Sequence, residues 1–133
     1  MNYPLPGSTS YDTPITAVGN TFSLAKKATF SLPINVARNF QAKLGGLWIW
    51  VSAIAGGATT LTFRIALDAA GDELLVTDTE GALFPGTTTA LDGSIVYSLN
   101  NLPVGLSVDE LYLIVKTDAG TVTIDKTQLS WGF

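Results

Sequence analysis

The stretch KLGGLWIWVSAIAGGATTLTFR, residues 43–64, decides the fold. Between Lys43 and Arg64 it holds twenty uncharged residues rich in apolar types, and about twenty is what a helix needs to cross a bilayer. Its period argues against a span. Leu47, Ile49, Val51 and Ala53 fall on one side of an extended chain, and Trp48, Trp50 and Ser52 on the other, because side chains along a strand alternate. Gly56-Gly57 then supplies a turn signal. Beyond it Leu61, Phe63, Ile65 and Leu67 alternate with Thr60, Thr62, Arg64 and Ala66. Threonine, valine, isoleucine and the aromatics favour strands, and a bilayer helix gains nothing from alternating threonines. The stretch reads as a Trp-bearing hairpin, two strands joined by a glycine turn, and no membrane partner is expected.

The first of these strands is apolar on both faces. An exposed antiparallel sheet keeps one face wet, so the Trp48/Trp50 face is expected to be covered by an arm, a loop or a neighbouring subunit. Tryptophans anchor interfaces, which makes Trp48 and Trp50 candidate contact residues.

Working outward, residues 1–20 carry Pro4, Pro6 and Pro14 and show no period. Prolines favour an extended course without helix. This segment is expected to be an extended N-terminal arm, with Tyr3, Leu5, Tyr11 and Ile15 as apolar groups that could dock on something. From residue 21 to 133 the signals are those of one β domain. Phe22 and Leu24 alternate, then Phe30 and Leu32. Residues 35–44 allow either a helical stripe or strand and loop. A turn at Gly71 leads to a short strand at Leu74–Val76. Pro85-Gly86 and Asp92-Gly93 are turn pairs, followed by a strand from Ile95 to Leu99. In DELYLIVKTDAGTVTID, residues 109–125, alternation on either side of Asp118-Ala119-Gly120 predicts a hairpin. Leu129, Trp131 and Phe133 share a face of the last strand. About eight strands and no long helix predict an all-β chain, a two-sheet antiparallel sandwich of jelly-roll type.

Chemistry is sparse. There is no histidine and no cysteine, which removes the commonest general base, thiolate metal ligands and disulfides. Asp72/Glu73, Asp78/Glu80 and Asp109/Glu110 fall at strand ends and turns, where solvation explains them, and no enzyme activity is expected. Asp68, Asp72, Asp78 and Glu80 do not follow the spacing of a helix–loop–helix calcium site, so no metal or other cofactor is expected. Only 14% of the residues are charged and the net charge is −4, against about a quarter charged in an ordinary domain. The balance conceals an asymmetry. Residues 1–67 carry Lys26, Lys27, Arg38, Lys43 and Arg64 against Asp12, whereas residues 68–133 carry ten acids against Lys116 and Lys126. Two opposed halves can steer docking on an acidic partner, with Lys26, Lys27 and Arg38 as candidates; a fold that interleaves the halves would cancel the effect. An acidic chain whose basic residues form no run beyond Lys26-Lys27 argues against nucleic acid. The start, MNYPLPGSTSYDT, has neither the basic nor the apolar region of a secretory signal, so synthesis and use without Sec export are expected.

The run AGGATTLTFRIALDAAGDELLVTDTEGALFPGTTTALDGSIVYSL, together with ELYLIVKTDAGTVTIDKTQLSW, resembles small virion structural proteins of tailed bacteriophages. Its order of a Thr-rich strand, an Asp-x-x-Gly-Asp turn, a GTTTA loop, a Tyr-bearing strand and a terminal Trp strand carries the resemblance over residues 55–131. Some proteins of that kind are capsid decoration (cement) proteins, often trimers; others sit in tails or fibres. The resemblance implies a homo-oligomer on the capsid surface whose partners are the major capsid protein and its own copies, made in the host cytoplasm. It assigns no residue a role. A carbohydrate-binding β-sandwich is the rival reading, with Trp48, Trp50, Tyr97 and Tyr112 as the aromatic candidates.

Overall fold

The computed structural model describes residues 7–33, 42–83, 94–103 and 109–132. Among the described residues nine strands follow one another: β1 (Gly7–Tyr11), β2 (Ile15–Val18), β3 (Lys27–Ser31), β4 (Lys43–Ala55), β5 (Thr60–Ala66), β6 (Leu74–Ala82), β7 (Ser94–Pro103), β8 (Glu110–Thr117) and β9 (Thr121–Gly132). One sheet, A, runs β1-β9-β4-β7, with β2 also paired to β9. The other, B, runs β3-β8-β5-β6. All pairings are antiparallel. Counting β1 and β2 as one interrupted strand gives eight, and successive strands alternate between the sheets except β5 and β6, which pair with each other in sheet B, as in the jelly-roll order. The expected architecture is the observed one.

Alternation builds the core. Leu47, Ile49 and Val51 of β4 and Ile124 and Leu129 of β9 point inward from sheet A; Phe30, Leu61, Phe63, Ile65, Leu111 and Leu113 meet them from sheet B, all fully buried. Burying each such side chain is worth about 1.5–3 kcal/mol. Among the described residues no helix is long and apolar enough to cross a membrane. Residues 43–64 are two core strands; the faces of the first follow the expected alternation through Val51, but beyond a register shift Ala53 is exposed and Ile54 packs against the core instead.

Three expectations are corrected. Both glycine turns join strands of different sheets, so neither makes a hairpin. β4 pairs with β9 and β7, whereas β5 pairs with β8 and β6. β8 likewise lies in sheet B and β9 in sheet A. Turn chemistry and alternation look the same whether a chain folds back beside itself or across the sandwich, so the signals were right and the pairing was not. The two crossings form one corner. Gly56, Gly57 and Gly120 have φ of 69°, 83° and 61°, and a Cβ on Gly120 would lie 2.7 Å from the Gly56 Cα. Asp118 clamps this corner, accepting hydrogen bonds from the hydroxyl and N–H of Thr59 and the N–H of Thr60. Those three donations, the Thr59 hydroxyl first, hold its carboxyl well below the usual carboxylate range.

The second correction concerns the arm. Over residues 7–18 it is sheet, not an appendage: Gly7–Tyr11 pairs residue for residue with Trp131–Thr127, and Ile15 and Val18 pair with Ile124 and Val122. β1 is a Ser/Thr edge strand without an apolar stripe, and Pro14 sits in the gap between the two segments, where its missing N–H breaks no ladder bond. Among the described residues the sandwich therefore already includes Gly7, well before residue 21. Third, β6 and β7 run longer than expected. Asp78 and Glu80 lie within β6, an edge strand on which charges are an ordinary protection. The helical stripe at 35–44 gives way at Lys43–Leu44 to the start of β4; its residues 35–41, and the turn pairs at 85–86 and 92–93, lie outside the described residues.

Candidate functional site

With the core faces assigned, two outer faces remain. On sheet A, Trp48 pairs across the strands with Gln128 and Val96, and Trp50 with Lys126 and Ser94. Cross-strand partners share a face, so Trp48, Trp50, Gln128 and Lys126 stand together, continued by Ser130, Ser8 and Ser10 on β9 and β1. Trp48 and Trp50 are half-buried. The Lys126 ammonium lies 4.7 Å from the centre of the Trp50 ring, a cation–π contact worth about 0.5–1 kcal/mol at an exposed site. The residues of the expected arm that are described lie in the sheet beside β9, not across the tryptophans. What results is a strip of hydroxyls, one amide and two indoles, with positive charge from Lys126.

The outer face of sheet B is different. Arg64 donates from Nε and Nη2 to the two carboxylate oxygens of Asp78, at 2.9 and 3.1 Å. Its guanidinium also lies 3.8 Å from the centre of the Phe22 ring, with the Lys116 ammonium at 4.9 Å from the same ring. Lys27 reaches the Ala69 carbonyl and stands 5.3 Å from the Tyr112 ring. Partial burial and the Glu110 carboxylate, which accepts a hydrogen bond from the phenol at 3.3 Å, hold the Tyr112 hydroxyl above its usual pKa. Arg64 and Asp78 come from opposite halves of the sequence, so the basic and acidic halves interleave here instead of forming two poles. The link between β2 and β3 packs over this face, with Phe22 and Leu24 beside Gly71 and Ile114 around a cleft of about 240 Å³. A second groove, about 350 Å³, opens at the sandwich edge between β6 and β7, lined by Phe63, Leu75, Val76, Thr79 and Leu99 among others.

Of the sequence candidates, Trp48 and Trp50 are brought together on sheet A, and Lys26 and Lys27 lie at the start of β3, away from them. Ile15 is 5% exposed and belongs to the core, and Tyr11 packs half-buried against it; both are strand residues whose side chains face inward. Tyr3, Leu5 and Arg38 lie outside the described residues, as does the side chain of Tyr97. Asp68, Asp72, Asp78 and Glu80 do not converge. Asp68 accepts the N–H groups of Asp72 and Glu73, Asp78 is held by Arg64, and among the described residues no group of acids could hold a metal ion. Sequence reasoning missed the Phe22–Arg64–Lys116 cluster; alternation put Arg64 and Lys116 outward, but only the β5–β8 register makes them neighbours.

No family model matches the chain, and no curated protein does. Solved structures do. VP2 of infectious bursal disease virus, in its subviral particle, is similar over 99% of this chain and 33% of VP2, with a TM-score of 0.55 at 14% identity. The xylan-binding module CBM15 is similar over 98% of this chain and 97% of the module, with a TM-score of 0.53 at 11% identity. The chain thus spans about a third of the length of VP2 and nearly all of CBM15. At these identities what is shared is the jelly-roll fold, common to a viral capsid protein and a glycan-binding module.

Proposed function

We propose that this chain is a non-enzymatic virion structural protein, a decoration (cement) protein of a bacteriophage capsid that binds the major capsid protein and its own copies, as a trimer, on the capsid surface. One observation supports it most: the Trp48/Trp50 face of sheet A, a weakly charged strip with two half-buried indoles on a β-sandwich. Cementing needs no reacting groups. It needs a stiff body and apolar surface to bury between neighbours, and indoles supply large contact area for little loss of side-chain freedom. A protein that binds the assembled shell and not its parts stabilises the shell by mass action, by about 2.7 kcal/mol per site at a free concentration one hundred times the dissociation constant.

The two tryptophans on one strand also favour a second reading, a carbohydrate-binding module or a tail or fibre component that attaches to a host surface. About 7 Å separates side chains two residues apart on a strand, a spacing on which a sugar chain could lie. Against it, Lys126 already occupies one face of the Trp50 ring. Co-sedimentation with empty capsids separates the readings. The wild-type chain is expected to bind and raise the heat resistance of the shell, and Trp48→Ala/Trp50→Ala to lose both. Glycan-array binding abolished by the same substitutions, with no capsid binding by the wild type, would replace the first reading by the second.

A further inference from the structure

Sheet edges carry unpaired N–H and C=O groups, and folded proteins guard them with charges, prolines or bulges. The edges of this sandwich are guarded unequally. β3 begins at Lys27 and is followed by Pro33. β6 carries Asp78 and Glu80 and shifts register twice against β5. β2 is interrupted by a register shift and by Ala17 at φ 54°, with Pro14 just before it. β1, Gly7-Ser8-Thr9-Ser10-Tyr11, has none of these: no charge, no proline, and five successive pairs with β9 without a shift. Its other edge is unpaired among the described residues. The strand is held firmly from behind, since the Trp131 indole packs so closely across Gly7 that a Cβ there would lie 2.6 Å from Nε1.

The residue order of this edge is self-complementary. We propose that β1 pairs with β1 of a second copy, antiparallel about a two-fold axis through Thr9, so that the two A sheets join into one continuous sheet. In that register Ser8 faces Ser10 of the partner copy, Thr9 faces Thr9, and Gly7 faces Tyr11. Hydroxyl pairs across strands are favourable and like charges unfavourable, and here no charges oppose. Asp12, which accepts the Ser10 hydroxyl at 3.4 Å, does not fall opposite another acid. Whichever set of β1 amides points outward, such a pair forms about four to six main-chain hydrogen bonds, because alternate residues of an antiparallel ladder exchange two each. A two-fold contact is closed, so each β1 edge takes one partner and the joined sheet does not propagate. This edge lies apart from the Trp48/Trp50 strip, and the inference does not depend on what that strip binds.

The test is sedimentation-velocity mass over a range of concentrations, with amide hydrogen exchange of residues 7–11. The wild-type chain is expected to show a reversible dimerisation step, and the outward amides of β1 to exchange more slowly as concentration rises. Ser8→Lys/Ser10→Lys sets the introduced lysines against one another and is expected to weaken that step at least tenfold. Ser8→Lys/Ser10→Glu sets lysine against glutamate at both pairs and is expected to restore it. Trp48→Ala/Trp50→Ala is expected to leave it unchanged. Exchange in β1 that is independent of concentration overturns the proposal without any variant. So does association that survives Ser8→Lys/Ser10→Lys, or that is lost only with the tryptophans.

Discussion

Thr127→Val should make this protein more stable. Thr127 faces the core from the middle of β9, between Tyr11 of β1 and Ile49 of β4, and is 0% exposed. Its Oγ1 is a buried side-chain atom without a hydrogen-bond partner among the described residues. Leaving a hydroxyl unsatisfied inside a protein costs about 1–3 kcal/mol. Valine has nearly the same shape and an equal preference for strands, and it fills the site with a methyl group that buried surface favours by about 0.8 kcal/mol. The expected gain is about 1–3 kcal/mol. At this chain length 1 kcal/mol moves Tm by about 3–4 °C, so Tm should rise by about 3–12 °C. Equilibrium urea unfolding measures it directly, with an unchanged slope showing that the two end states are the same. Thr127→Ser, which keeps the hydroxyl and deletes the methyl, should lose about 1 kcal/mol and separates the two terms. A valine variant less stable than the wild type would show that the hydroxyl has an acceptor in the folded protein and would refute the reasoning.

Other expectations test the corner, the edge and the clamp. Gly120→Ala should destabilise by about 3 kcal/mol or more, since it adds the steric cost of a left-handed residue, about 1–2 kcal/mol, to a collision with Gly56 and the Ala55 carbonyl; Gly57→Ala, with φ 83° but open space around it, should cost only the first part, and thermal midpoints of the two compare them. Deleting residues 1–18 should lower stability by about 3–6 kcal/mol, because Ile15 and Val18 leave the core at about 1.5–3 kcal/mol each, whereas deleting residues 1–6 removes no described strand; unfolding curves of both truncations show whether the boundary lies at Gly7. The Asp118 carboxyl is held below its unfolded pKa of about 3.9. Its contribution is therefore complete above that value and is lost as pH falls through and below it; Asp118→Asn should flatten that part of the acid limb in a pH series of Tm.

Much of the fold was legible in short windows. The faces of β4, β5, β8 and β9 follow from alternation in Leu47–Val51, Leu61–Ile65, Leu111–Val115 and Val122–Ile124, because burial on one face of a pleated strand forces a period of two. The Gly56-Gly57 and Gly120 turns followed from the need for positive φ. The candidate site was half legible. Trp48 and Trp50 were conspicuous by themselves, yet their companions Lys126 and Gln128 lie more than seventy residues further on and become neighbours only through the β4–β9 register. That Tyr11 and Ile15 lie in strands against the core was not legible, because β1 and β2 are short and made largely of small residues without a stripe.

By itself, then, the sequence determined that this chain forms paired sheets, which side of each central strand is buried, where the chain turns, and that it carries no histidine or cysteine. Which strands lie side by side was decided only in three dimensions. A glycine turn leads equally to the neighbouring strand or to the opposite sheet. The choice is made by burying both inner faces at once, a free energy that belongs to all nine strands and to no window of ten residues.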